Sequence, residues 1–354
     1  MLRRVPTMQT AHRLPPIQRH PAAWYGPAMA RMQHQWLGRL TPTDIDELEH
    51  AAQAWVDPRR DLAALTAGQF ALPTLGRKLL SLRGELLHGR GFAVLRGLPV
   101  ERYNEREIAA IFCGLGCHIG SARSQNAQGQ LLGHVRDLGL SSQDPNVRVY
   151  QTSERQTFHT DSADVVGLLC VQNAMSGGDS LLVGSSTVFN ELHRRWPELL
   201  ALLLQPMATD RRGEMRPGQD PFFLIPVFNY HAGFLTAIYQ RQYIDSAQRF
   251  PDAPRLGAAQ VEALDRLDQL ANSPELNFSM RLEPGDMQFV CNHALLHDRT
   301  AFTDWPEHHR KRHLLRLWLA VPGDRPLPEC FASRYGSVEI GNRGGVVANP
   351  QLRR

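Results

Sequence analysis

The sequence predicts an α+β chain that is mainly β. Its core is a jelly roll (a cupin-like double-stranded β-helix) with an N-terminal helical extension and helical inserts. Three observations predict this. From about residue 145 onward, short apolar and β-branched runs follow one another, split by Gly, Pro and Asn turns. Only two long helical patterns interrupt them, which is the texture of a strand barrel with helices packed outside. No internal repeat or low-complexity linker divides the 354 residues, and a hydrophobic content of 42% is enough for a sizeable core. The expected organisation is an arm and helical extension over residues 1–85, then one principal domain over residues 86–354.

Residues 1 to about 35 are rich in Pro, Arg, Gln and Met without periodicity and read as an extended arm. Thr41-Pro42-Thr43-Asp44 supplies a helix N-cap, a first-turn proline and an early acid, so a helix runs through IDELEHAAQAW and stops before Pro58. A second helix is expected over residues 74–88, closed by Gly89 and followed by the apolar strand GFAVLRGLPV. Asn104 caps a third helix, EREIAAIFCGLG. The predicted strands after it are VRVYQT, VVGLLCVQNA, DSLLVGS, FFLIPVFNY, GFLTAIY, NFSMRL, DMQFVCN and HLLRLWLAV. Helices are expected at 186–204 and 258–271.

Composition narrows the function. The formal net charge is +4, spread along the chain, and the only lysines are Lys78 and Lys311. The basic run His308 to His313 reads as a solvated loop. It lacks the interleaved aromatics of a nucleic-acid face. Five cysteines are an odd number without framework spacing. Cys113 and Cys117 beside His118 lie in the apolar stretch IFCGLGCHIG with no second ligand pair, so buried free thiols are expected, not a zinc site. Reduced thiols fit a cytoplasmic protein. The N-terminal arginines precede no apolar run, and no stretch approaches a membrane span. The expected partner is a small molecule, with neither nucleic acid nor membrane. The N-terminal extension either covers the barrel or mediates self-association into a homo-oligomer.

Two segments carry metal chemistry. In Phe158-His159-Thr160-Asp161, directly after a predicted strand, side chains at i and i+2 point to the same side, so His159 and Asp161 can converge on one ion. In GDMQFVCNHALLHDRTAF, His297 follows a strand and a short turn. Two histidines and one carboxylate on one face leave coordination positions open, as non-haem Fe(II) oxygenases require. A zinc hydrolase is the weaker fit, since no HExxH pattern is present. Among 15 histidines an isolated HxD carries little, so the combination matters. Further on, Arg316 lies in the apolar run RHLLRLWLAV. A buried arginine needs an anionic partner, and its fork suits the distal carboxylate of a dicarboxylate. Arg312 shares its strand parity, and Arg316 is preferred because it lies deeper in the run.

These motifs resemble the TauD/TfdA-type family, the taurine dioxygenase and clavaminate-synthase-like branch of 2-oxoglutarate oxygenases. The resemblance spans roughly residues 85 to 322 and rests on FHTDSADVVGLLC, SGGDSLLVGSS, PGDMQFVCNHALLHDRTAF and KRHLLRLWL. It implies Fe(II) on His159, Asp161 and His297, with O2 and 2-oxoglutarate as co-substrates and succinate and CO2 as products. It also implies that Arg316 and the hydroxyl of Ser180, after the GGD turn, hold the 2-oxoglutarate carboxylate, with Arg312 flanking. Asn292 and Arg299 bracket His297 and either support the ligands or cap the turn.

On the substrate side, the polar stretch from Ser121 to Asp137 reads as a mouth loop. Gln125, Asn126 and Tyr150 are the candidate contacts, with Gln151 beside them. The resemblance implies hydroxylation of a small anionic or zwitterionic substrate. Desaturation or cyclisation at the same iron is an alternative, and a non-catalytic metal-binding sensor is another.

Overall fold

A computed structural model describes residues 14–126, 128–142, 147–215 and 218–346. It is mixed α/β, and its strands fall mainly into two sheets. The larger sheet runs in the order Leu37–Arg39, Phe92–Arg96, Met287–Cys291, Val165–Gln172, His313–Ala320, Ser121–Arg123, with Leu132–Val135 also paired to His313–Ala320. Only its first pair is parallel; the rest are antiparallel. The smaller sheet is antiparallel, in the order Phe278–Met280, Ser180–Gly184, Leu295–Arg299, Gln156–His159.

Strand parity decides which residues meet. On His313–Ala320, Leu315, Leu317 and Leu319 pack with Leu79, Phe112, Leu115 and Phe289 beneath the helices Leu75–His88 and Glu105–Cys117. Leu314 and Trp318 point the other way, towards Val166, Leu182 and Leu295. Arg316 shares their parity, so a one-residue slip would carry it from the interior to the helix side.

The expected helix starts are present. Thr41 and Asp44 form a capping box on Pro42–Ala52, and Asn104 with Glu107 forms another on Glu105–Cys117. The helix expected over 186–204 divides into Ser185–Arg195 and Pro197–Leu203. Pro197 has no N–H and disfavours helical backbone at Trp196, whose φ is -145° and ψ 63°. Pro226 likewise breaks FFLIPVFNY into Phe222–Ile225 and Phe228–His231, each in a separate hairpin. VRVYQT forms no strand: Val149–Gln151 is a 3-10 turn closed by Gln151 N–H to the Arg148 carbonyl and Thr152 N–H to the Val149 carbonyl, with the Gln151 carbonyl accepting from Leu138. The arm is more structured than expected from Gly26 onward, with short helices at Gly26–Arg31 and Gln33–Trp36. Trp24 and Trp36 are buried against Phe92 and Phe278, so its aromatics explain the order. The first 13 residues lie outside the described segments. Among the described residues no helix is long and apolar enough to cross a membrane.

Candidate metal centre

His159 ends one strand of the smaller sheet and His297 lies directly opposite it on the neighbouring antiparallel strand. Cross-strand partners share a face, which brings residues far apart in sequence together. Their ring centroids are 4.2 Å apart. Asp161, just past the strand end, completes a cluster in which one ligand atom from each residue lies within 4.8 Å of the others. The His159 Nε2–Asp161 Oδ1 distance is 3.9 Å and the His297 Nε2–Asp161 Oδ2 distance is 3.8 Å. His159 Nδ1 donates to the Thr157 carbonyl at 2.8 Å, which leaves Nε2 as its lone pair towards the cluster. The Gln156 amide donates to that lone pair at 2.9 Å.

Charge states suit a cation. Burial, then the neighbouring His159, depresses His297 to about 3, and burial also lowers His159. Both imidazoles are therefore neutral at pH 7. Burial alone would raise Asp161, but Arg316, the two histidines and the Trp318 indole outweigh it and hold the carboxyl at about 2. A metal binding here has no proton to displace. The carboxylate is also steered: Trp318 Nε1 donates to Oδ2 at 2.8 Å, and the Asp161 N–H donates to Asn292 Oδ1 at 3.0 Å. Trp318 was not singled out from sequence, although it shares the parity of Arg316.

Two chambers meet at this cluster. One is lined by His159, Asp161, Tyr150, Arg148 and Arg334 among others. The second is lined by His297, Ser180, Arg299, Arg312 and Leu314 among others. Arg316 borders both, but its guanidinium is already engaged. Its Nε donates to Gln125 Oε1 at 2.7 Å and its Nη1 lies 3.4 Å from Asp161 Oδ2. It also rests over the Tyr150 and Trp318 rings. Arg312 is buried, and its Nη1 has no hydrogen-bond partner among the described residues. Burial lowers Arg312 to about 10, and burial with the adjacent Arg312 charge lowers Arg299 to about 9. A buried guanidinium with an unused donor, bordering this chamber, is what a dicarboxylate would engage.

The remaining sequence candidates are placed as follows. Ser180 Oγ donates to Gln288 Oε1 at 3.0 Å and borders the second chamber. Gln125 is buried and spends its side chain on Arg316 and the Leu131 carbonyl. Asn126 hydrogen-bonds Gln130 within its own loop. Tyr150 lines both chambers although it is in a turn, not on a strand. Asn292 braces Asp161, whereas Arg299 donates to the carbonyls of Thr152 and Glu154. A second cluster, Asp164, His293 and Asp324, also has metal-like spacing. Arg343 already donates to both of its carboxylates, at 2.7 and 2.9 Å, so it needs no cation.

The family model described as taurine catabolism dioxygenase TauD, TfdA family matches residues 58–318. FR-33289 synthase of Streptomyces rubellomurinus (strain ATCC 31215) is 36% identical over 276 residues, covering 75% of this chain and 79% of the relative. The taurine hydroxylase-like protein SAT17 of Stachybotrys chartarum (strain CBS 109288 / IBT 7711) is 30% identical over 319 residues, covering 85% and 81%. Among solved structures, asparagine oxygenase in complex with Fe(II), 2S,3S-3-hydroxyasparagine and succinate superposes with a TM-score of 0.63. At 19% identity, covering 80% of this chain and 93% of that one, the likeness is one of fold.

Proposed function

The chain belongs to the TauD/TfdA family of dioxygenases, and from that premise we propose that its cleft hydroxylates a small anionic or zwitterionic substrate, using Fe(II) held by His159, Asp161 and His297. The protein is a non-haem Fe(II)- and 2-oxoglutarate-dependent dioxygenase. Bound Fe(II) and 2-oxoglutarate supply O2-dependent oxidation, with release of succinate and CO2.

The observation that carries the site assignment is the meeting of two neutral imidazoles and one ionised carboxylate where two chambers join. Three ligands on one side leave positions for the co-substrate and O2. Arg312, whose Nη1 has no hydrogen-bond partner among the described residues, receives the distal carboxylate of 2-oxoglutarate, assisted by Ser180. Arg316, expected from sequence for that role, instead holds Asp161 and is itself held by Gln125. The apolar walls of the second chamber, including Leu168 and Leu314, exclude water around that ion pair. The first chamber positions the substrate. Which hydrogen it presents to the iron decides between hydroxylation and the desaturation or cyclisation alternatives.

The two sheets fit a jelly roll, with the catalytic domain over residues 86–354 carrying the extension over 1–85. All five cysteines are free thiols, in keeping with the cytoplasm. The test is an anaerobic titration of metal-free protein with Fe(II), then 2-oxoglutarate, followed by visible absorption. A charge-transfer band that develops in wild type and is lost in His159→Ala is the expected result. Iron binding without a band would remove 2-oxoglutarate as the co-substrate.

A further inference from the structure

The first chamber contains a charge arrangement that the iron chemistry does not use. Arg148 and Arg334 line it together with His159 and Asp161. A single carboxylate, Glu214, spans the two arginines: Oε1 meets Arg148 Nη2, and Oε2 lies 3.1 Å from Arg334 Nη2. Arg334 is further fixed by Ser162, the residue after the carboxylate ligand, whose Oγ accepts from its Nε at 2.7 Å. Arg148 Nη1 donates to the Tyr243 hydroxyl, and its guanidinium lies over that ring. Arg334 is buried and Arg148 and Glu214 are largely withdrawn from solvent, with side-chain exposures of 6%, 16% and 9%.

Two guanidiniums around one carboxylate are the usual protein cradle for an oxyanion. Here they leave one positive charge in excess, since Arg316 is already opposed by Asp161. Glu214 sits on the connection between the hairpin strands Met207–Asp210 and Phe222–Ile225, next to Arg212 and its left-handed φ of 53°. A carboxylate on such a connection can be exchanged at lower cost than one on a sheet strand. Arg334 lies in the short helix Ala332–Tyr335, past residue 318 where the family match ends, whereas Arg148 lies within the matched region.

We propose that Arg148 and Arg334 form the anion subsite for a substrate carrying a doubly charged tetrahedral oxyanion, a phosphate or phosphonate, and that this anion displaces Glu214. The dianion balances both guanidiniums, whereas a singly charged sulfonate or carboxylate would only exchange one charge for another. The inference rests on the oxygenase reading for its view of the chamber as the substrate side.

The test is calorimetric titration of the metal-free full chain at mildly alkaline pH. The probes are methylphosphonate, then doubly charged, and methanesulfonate, its singly charged counterpart of similar shape. Methylphosphonate binds wild type at least about tenfold more tightly than methanesulfonate. Arg334→Gln weakens it roughly 10- to 100-fold, the effect of losing a charged hydrogen bond. Glu214→Gln tightens it, because the internal competitor loses its charge. Equal binding of the two probes, or weaker or unchanged phosphonate binding in Glu214→Gln, overturns the proposal. The sign of the Glu214→Gln effect decides even if Arg334→Gln fails to fold, which thermal melting reveals. Because no iron is present, the result is independent of whether the 2-oxoglutarate band appears.

Discussion

At the residue scale, the ligands and the two arginines make separable demands. His159→Ala or His297→Ala removes one of three donors and, with it, Fe(II) binding; metal content after anaerobic loading checks this, and retained full activity would refute the ligand set. Arg312→Ala and Arg316→Ala should differ in kind. Removing Arg312 takes the charge from the second chamber and raises the 2-oxoglutarate dissociation constant by roughly 10- to 100-fold while iron still binds. Removing Arg316 frees Gln125 and unfastens the Asp161 carboxylate, and this loss of positioning, outweighing the relief of a positive charge beside the metal, should lower iron affinity itself. If Arg316→Ala loses 2-oxoglutarate with iron intact, the sequence-based preference for Arg316 is restored. That preference could not be settled from sequence. Arg312 and Arg316 share a parity, and what separates them is Gln125, brought in from the far side of the chain. The HxD pair was legible because two residues along a strand face the same way whatever the tertiary structure.

At the element scale, the legible parts were those with local causes. The N-caps at Thr41 and Asn104 were written within four consecutive positions, and both appear, each as part of a capping box. The breaks at Pro197 and Pro226 were equally local, yet apolar content across them suggested continuous elements. VRVYQT has strand-like composition but forms no ladder, because its groups are closed by Arg148, Val149 and Gln151 within one turn. The grouping of Arg148, Glu214 and Arg334 had no signal at all, since two connections and a short helix far apart in sequence supply it. One turn has a sharp requirement. Gly285 has φ +88°, and a Cβ there would stand 2.0 Å from the Leu98 carbonyl oxygen. Its N–H donates to the Cys170 carbonyl at 2.8 Å, which starts the pairing of Met287–Cys291 with Val165–Gln172. Gly285→Ala therefore combines left-handed strain with a backbone clash and should destabilise by at least about 1–3 kcal/mol. Urea denaturation measures it, and an unchanged midpoint would show that the turn relaxes freely.

At the scale of the whole molecule, burial of titratable groups sets how the chain responds to acid. His297 is depressed to about 3, and His20 and His313 to about 4, all chiefly by burial, from an ordinary 6.5. The unfolded chain then binds more protons than the folded one between those values, so stability is full above about 6.5 and falls as pH drops towards 4. Asp161, lowered from 3.8 to about 2, adds a loss only at still lower pH. Denaturant midpoints of the metal-free protein across that window should decline steadily, and a flat profile would contradict neutral buried histidines. The second long-range device is Arg343, 1% exposed, which ties the C-terminal segment to Asp164 and Asp324. His293 lies 2.9 Å from Asp164 Oδ1 and 3.4 Å from Asp324 Oδ2, so the four side chains form one buried charge network. Arg343→Met leaves two buried carboxylates facing each other across a single imidazole, and breaking such a network costs about 3–5 kcal/mol. The loss should not stay local. The Asp164 carbonyl accepts from the Asn292 N–H, and the Asn292 side chain in turn holds the Asp161 N–H. Arg343→Met is therefore expected to lower the melting temperature and weaken Fe(II) binding together. A lower melting temperature with unchanged iron affinity would confine the network to holding the C-terminal segment in place.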